Sequence, residues 1–290
     1  MKIVLDLGNT RLKAAVLIGT DRSRRVRLHA PMATTYKQIE RFEQWLQRLP
    51  QPPSEVWGIN VAKKHKMQAV IKALSPYPCT LRWLGADVEH PEIHNAYDDP
   101  GQLGPDRWFG VLGAFALHPP APEQALIYCS FGTATTIDLV VSRQKAIHYL
   151  QNQAPHRPLP LVAKPQVFLG GVILPGPQLM HESLTLHTAR LNTGLGSLAE
   201  FARNTPSAIS SGILQAQTGA LIQQCLHAQA LCPELPIQLV CTGGGWVFVK
   251  LALQQSLDSW SRVYPYPQPN LQFTEHAVLR GLGTLYFAND

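Results

Sequence analysis

MKIVLDLGNTRLK, residues 1–13, is the stretch that decides the fold, because it packs an apolar strand, a carboxylate and a phosphate-sized turn into thirteen residues. Lys2 to Leu7 is a β-rich apolar run suited to a buried strand, and it ends on Asp6 and Gly8, where the backbone must turn sharply. Asn9, Thr10 and the amides around Gly8 offer hydrogen-bond donors. A second apolar run, Leu12 to Ile18, follows at hairpin spacing. An Asp at a strand end followed by Gly-Asn-Thr can hold a hydrated Mg²⁺ while the turn amides and Lys13 face polyphosphate oxygens. Taken alone, the same residues are equally well explained by an ordinary hairpin with a favourable turn.

Two further stretches repeat parts of this design. IYCSFGTATTIDLVV, residues 127–141, is an apolar strand, a Gly-Thr turn with hydroxyls at Thr133, Thr135 and Thr136, and another apolar strand. IQLVCTGGGWVFVK, residues 237–250, runs a buried strand into Gly243, Gly244 and Gly245, where backbone can approach a flat ligand closely. Two phosphate-loop hairpins followed by a glycine turn resemble the actin, Hsp70 and sugar-kinase ATPase superfamily. The resemblance implies an α/β fold of two RNase H-like domains, with the hairpins on the phosphates and the glycine turn behind the adenosine.

A chain of 290 residues suits two domains, expected here at 1–117 and 118–290 with the HPPAPEQ segment at 118–124 as the hinge. The composition, 45% hydrophobic and 15% charged, belongs to a well-buried globular protein and excludes intrinsic disorder. Neither a signal peptide nor a membrane span is read. The five cysteines, at 79, 129, 225, 232 and 241, form no C-x-x-C pair, so the reading is a reduced, cytoplasmic protein with Cys129 and Cys241 as small buried strand residues. A net charge of +6 directs attention to Arg22, Arg24, Arg25 and Arg27. These lack aromatic interleaving and any helix-turn-helix or zinc spacing, so a solvated sheet edge is expected rather than a nucleic-acid partner.

Along the chain, Ile39, Phe42, Trp45 and Leu46 mark one face of a helix over 36–49, stopped by PQPP at 50–53. Strands are expected at 56–61 and 80–84, with helices at 64–74, 109–116, 178–190, 204–223 and 274–286. FLGGVILPG, residues 168–176, reads as a strand shaped for a tight turn. His181 and His187, six residues apart, lie on different helix faces and carry no metal expectation. The 204–223 helix is rich in Ala, Ser and Gly, which permits close helix approach either inside the chain or between subunits.

Between the hairpins lies YDDPGQLGPDR, residues 97–107. Together with DLGNT, GTATTID at 132–138, GG-x-x-x-PG at 170–176, T-A-x-L at 188–191, NT at 204–205, SG at 211–212 and TGG at 242–244, it makes the chain resemble the type III pantothenate kinases, also linked to the Bvg accessory factor group. The resemblance implies ATP contacts at Asp6, Leu7, Gly8, Asn9, Thr10, Arg11, Leu12, Lys13, Gly132, Thr133, Gly243 and Gly244. It implies pantothenate contacts at Tyr97, Gly104, Pro105, Asp106, Arg107 and Thr188, with Asp106 as catalytic base, Mg²⁺ held by Asp6 through water, and a homodimer; the residues themselves give no expectation of a membrane or nucleic-acid partner. Chemistry supports the same residues: one placed carboxylate can relieve a primary alcohol of its proton, and Arg107 can pair an anionic group through two parallel hydrogen bonds. One position departs from the pattern. Where the family usually has an Asp two residues before the second hairpin's glycine, associated with K⁺ or NH₄⁺, this chain has Ser130. A hydroxyl brings no formal charge, so a weakened or differently built monovalent-cation site is expected. The reaction so implied is ATP-dependent phosphorylation of pantothenate, the opening step of coenzyme A synthesis. The alternatives are a catalytically weak accessory or regulatory protein on the same fold, or a kinase for another small alcohol.

Overall fold

The computed structural model describes residues 1–21, 25–153, 163–187 and 194–288. The chain forms two compact units, the first of Met1–Pro119 with His276–Asp290 and the second of Pro120–Glu275.

Unit 1 contains strands β1 (Lys2–Leu7), β2 (Arg11–Thr20), β3 (Val26–Thr35), β4 (Glu55–Asn60), β5 (Thr80–Trp83) and the short β6 (Ile93–Asn95). Its helices are α1 (Glu40–Gln47), α2 (Lys64–Leu74) and α3 (Pro105–Leu117), joined by the last helix of the chain. The main sheet runs β3-β2-β1-β4-β5, antiparallel across the β1–β2–β3 meander and parallel from β1 through β4 to β5. Alternation along β1 explains its burial on both faces. Ile3, Leu5 and Leu7 pack with Phe42 and Leu46 of α1 and Val70, Ala73 and Leu74 of α2, so Val4 and Asp6 face the opposite side. Arg27, on the outermost strand β3, is exposed, as the edge reading expects; Arg22 and Arg24 lie outside the described residues.

Unit 2 contains β7 (Leu126–Phe131), β8 (Ala134–Ser142), β9 (Gln166–Pro175), β10 (Gln238–Thr242) and β11 (Asn270–Phe273), with helices α4 (Arg143–Gln153), α5 (Pro177–His187), α6 (Thr205–Leu231), α7 (Trp246–Asp258) and α8 (Trp260–Val263). Its strands run β11-β10-β7-β8-β9, again an antiparallel meander extended by parallel strands on the other side of the first. Numbered within each unit the order is the same, 3-2-1-4-5, so the internal repeat lies in the topology rather than in the amino-acid sequence. Both units are RNase H-like α/β structures.

The final helix, α9 (Ala277–Ala288), belongs to unit 1, whereas the expected division placed everything from residue 118 onward in the second domain. The physical reason is glycine. A Cβ on Gly281 would run into the carbonyl of Phe109, and one on Gly113 into that of Ala277, so α3 and α9 touch backbone to backbone. Arg280 then donates to the Val26 carbonyl, and Tyr286 donates to Glu55 at 2.8 Å.

FLGGVILPG differs from expectation in a similar way. Its first glycines sit inside β9, where Gly170 pairs with Leu139 and Phe168 with Val140, leaving Leu169 as a bulge and Gly170 at φ 92°. Helix α6 is longer than the apolar pattern suggested, and Asn204 caps it by accepting from Ser207 N at 3.0 Å. Among the described residues no helix is long and apolar enough to cross a membrane.

Candidate active site

The first turn follows directly from the register of β1 and β2. Asp6 lies opposite Lys13 and Leu7 opposite Leu12, and Gly8 N donates to Arg11 O at 3.1 Å to close the Gly8-Asn9-Thr10 loop. Asp6 is 4% exposed and is paired with Lys13 Nζ at 3.0 Å. Asn9, Thr10 and Arg11 are exposed, while Leu7 and Leu12 are buried in the core and offer a ligand only their backbone. Two residues that the sequence reading missed hold the turn from below. Tyr36 Oη donates to Gly8 O at 2.8 Å, and Lys66 Nζ donates to Asn9 O at 2.5 Å. Burial, then the Asp6 carboxylate, keeps the Tyr36 phenol protonated far above its ordinary range, so it remains a donor.

The GPDR segment is the start of a helix. Gly104 is the N-cap of α3, Pro105 its first residue and Asp106 its second, so the expected helix begins four residues earlier than its apolar pattern suggested. Asp106 Oδ1 accepts from Arg107 N at 3.0 Å. Burial raises the Asp106 carboxyl above the usual carboxylate range and the Asp6 charge raises it further, against the opposing pull of the Arg107 amide and guanidinium. Asp6 therefore acts on Tyr36 and Asp106 alike, which puts these groups in one electrostatic neighbourhood of unit 1. Arg107 is 4% exposed; its Nη1 reaches Tyr97 Oη at 3.4 Å, and its guanidinium lies 5.6 Å from the Tyr97 ring centre. The structure thus brings Tyr97, Asp106 and Arg107 together. Thr188 lies outside the described residues.

In unit 2 the Gly132-Thr133 turn joins β7 to β8, with Phe131 opposite Thr135 and Ser130 opposite Thr136. It is built into its surroundings more tightly than its composition suggests. Gly176 N donates to Thr133 O at 2.9 Å, and a side chain at Gly176 would strike the Gly132 carbonyl. The fully buried Gln217 of α6 accepts from Thr135 Oγ1 at 2.6 Å and donates through Nε2 to Pro175 O at 2.8 Å. Thr133 itself is exposed.

The glycine turn after β10 is fastened to the same place. Gly243 has φ +100°, a Cβ on it would collide with Phe131 O, and Gly245 N donates to that oxygen at 2.9 Å. Gly244, by contrast, is exposed, and a Cβ there would meet nothing within 4 Å. Ser130 pairs with Thr136 on β8 and Thr242 on β10, so three hydroxyl-bearing residues share one row of the sheet. Among the described residues no cluster of His, Cys, Asp and Glu is arranged to hold a metal ion. The hydroxyl row fits a monovalent cation only as a set of neutral oxygens. Asp6, with Asp106 near enough to feel its charge, fits the hard-oxygen chemistry of a divalent ion that keeps much of its water.

The family model for type III pantothenate kinase matches residues 2–148 and 159–227. The type III pantothenate kinase of Bordetella pertussis is 33% identical over 290 residues, covering 98% of this chain and 97% of that one. That of Verminephrobacter eiseniae is 31% identical over 248 residues, covering 84% and 86%. A solved structure described as a Baf family transcriptional activator from Campylobacter jejuni shares the fold, with a TM-score of 0.53 at 17% identity over 99% of this chain and 98% of the other. The chain belongs to the type III pantothenate kinase family.

Proposed function

We propose that this protein transfers the γ-phosphoryl group of ATP to the terminal hydroxyl of pantothenate, yielding 4′-phosphopantothenate and ADP. The observation that carries the reading is Asp106, a half-buried carboxylate at the start of α3 whose pKa is raised by loss of solvent and by Asp6, beside the buried Arg107. A base with a raised pKa takes a proton more effectively near neutral pH than an ordinary surface carboxylate.

In this mechanism the Gly8-Asn9-Thr10 turn with Lys13, and the Gly132-Thr133 turn, supply amides, hydroxyls and a cation to the phosphates. The Gly243-Gly244 turn backs the adenosine. Arg107 and Tyr97 hold the anionic substrate, with Gly104 and Pro105 shaping the approach and Thr188 as a further contact. Asp106 accepts the hydroxyl proton as the alcohol oxygen bonds to the γ-phosphorus and the bond to the β–γ bridging oxygen breaks. Asp6 is the residue that would hold Mg²⁺ through water, and the ion would neutralise phosphate charge. K⁺ or NH₄⁺ would bind weakly at Ser130.

Self-association is part of the reading. Ala208, Gly212, Ala216 and Gly219 lie exposed along α6, and Met180, Leu184, Ala208 and Ile209 line an adjoining groove of about 840 Å³. Bulky replacement of Gly212 would then shift a dimer toward monomer in sedimentation.

The direct test is Asp106→Asn, which keeps shape and removes basicity. Turnover should fall by about a hundredfold or more while ligand binding is spared; full activity in that variant sinks the assignment. Ser130 favours a second reading, a catalytically weak accessory protein on this fold. Absence of pantothenate-dependent ATP consumption, with salt-sensitive DNA retardation by the purified protein, would select it.

A further inference from the structure

Unit 2 contains an aromatic stack whose outer member is left open to solvent. Phe131 comes just before the Gly132-Thr133 turn, Trp246 opens α7 directly after the three glycines, and Phe273 ends β11. The Phe131 and Trp246 rings are 6.3 Å apart at 32°, and those of Trp246 and Phe273 are 5.3 Å apart at 15°. Phe131 is fully buried and Trp246 is 8% exposed, but Phe273 is 42% exposed. With Trp246 against one face of Phe273, that exposure falls on the ring's edge and its other face.

The sheet register puts this open ring beside the glycine turn. Cys241 pairs with Phe273, and Thr274 N donates to Cys241 O at 2.9 Å, so Thr242, Gly243 and Gly244 lead away from the strand end next to Phe273. Strands β7, β10 and β11 are adjacent and parallel, so their C-terminal ends form one rim, the edge where ligands of α/β sheets bind. Along that rim come the phosphate turn, the glycine turn and Phe273. Two strand spacings separate first from last, about 10 Å, a distance spanned by a nucleotide running from its phosphates through ribose to base. The open space over Gly244 lies on that path.

We propose that Phe273 is the nucleobase platform: the base of bound ATP stacks on its outer face while the phosphates lie at Gly132 and Thr133. The inference rests on the ATP-dependent reading above. Stacking reads ring area rather than the pattern of donors and acceptors on a base edge, so the platform favours purine over pyrimidine nucleotides without demanding adenine. Trp246 and Phe131 brace the ring from behind, coupling the base position to the phosphate turn through packed side chains.

The test measures nucleotide binding by calorimetry in the unaltered protein, in Phe273→Leu and in Phe273→Tyr. Leucine keeps an apolar cover over Trp246 and removes the aromatic face; tyrosine keeps both. Inorganic triphosphate serves as a probe with charge and no base. The leucine variant should lose roughly 5- to 100-fold in ATP affinity and hold inorganic triphosphate within about twofold, while tyrosine retains ATP binding. Unchanged ATP affinity overturns the inference, and so does an equal loss for ATP and triphosphate, which would make Phe273 only a prop for the turns. If the leucine variant does not fold, the unaltered protein still decides, because ATP should bind at least about fivefold tighter than CTP and equal affinities contradict stacking. Binding is read without turnover. A protein that binds ATP through Phe273 but leaves pantothenate unphosphorylated would refute the proposed function and not the platform.

Discussion

Replacing Gln217 with leucine tests whether the second phosphate turn is held by a buried polar latch. Gln217 is fully buried, and its orientation is forced: Pro175 O can only accept, so Nε2 must face it and Oε1 must receive the Thr135 hydroxyl proton. Leucine has nearly the same volume, so little cavity forms and the loss is mainly polar. Thr135 Oγ1, itself buried, and Pro175 O then lose these partners. Pro175 is exposed, so its carbonyl can turn to water, and the buried Thr135 hydroxyl carries most of the cost; the variant should be destabilised by roughly 1–3 kcal/mol. Denaturant unfolding of unit 2 measures this. Adding Thr135→Val removes the orphaned hydroxyl, so the double variant should cost less than the sum of the singles by about 1–3 kcal/mol. Gln217→Leu within about 0.5 kcal/mol of the unaltered protein, or strict additivity with Thr135→Val, would refute the latch.

Gly281→Ala should drive α9 off α3, because the added methyl meets the Phe109 carbonyl; a loss above about 3 kcal/mol and earlier proteolysis of the C-terminal helix are expected. Asp106→Asn should stabilise the fold at neutral pH while cutting turnover by about a hundredfold or more. The folded pKa of Asp106 is raised, so its contribution is favourable below the unfolded value and is lost as pH rises through the folded one. The variant's gain in Tm should therefore vanish toward acid pH, and a gain that is constant with pH would contradict this cause. Ser130→Asp should turn a weak response to K⁺ into a tighter, saturable one at constant ionic strength, because a formal charge beside a cation outweighs a dipole. Strong activation of the unaltered protein at low K⁺ would show that the Ser130-Thr136-Thr242 row or other oxygens suffice.

The parts of this molecule legible in the amino-acid sequence are those where local pattern and function coincide. The hairpin of residues 1–13 could be read because alternation, turn chemistry and a carboxylate fall within one short span. Long-range pairings were not legible. Nothing near Gln217 points to Thr135, eighty-two residues away, and nothing near Gly281 points to Phe109. The glycines of β9 read as a turn because a bulge and a turn draw on the same residue type. Tyr36 and Lys66 were missed because a tyrosine and a lysine that support carbonyls look like any others until the chain is folded.

The most direct test of the central claim is product formation across a panel of small alcohols at fixed ATP and Mg²⁺. Mass spectrometry of the acceptor should detect pantothenate carrying one phosphoryl group at its terminal hydroxyl, formed in step with ADP, with other alcohols phosphorylated far more slowly. Equal or faster phosphorylation of another alcohol, or no pantothenate-dependent ADP at all, would contradict it.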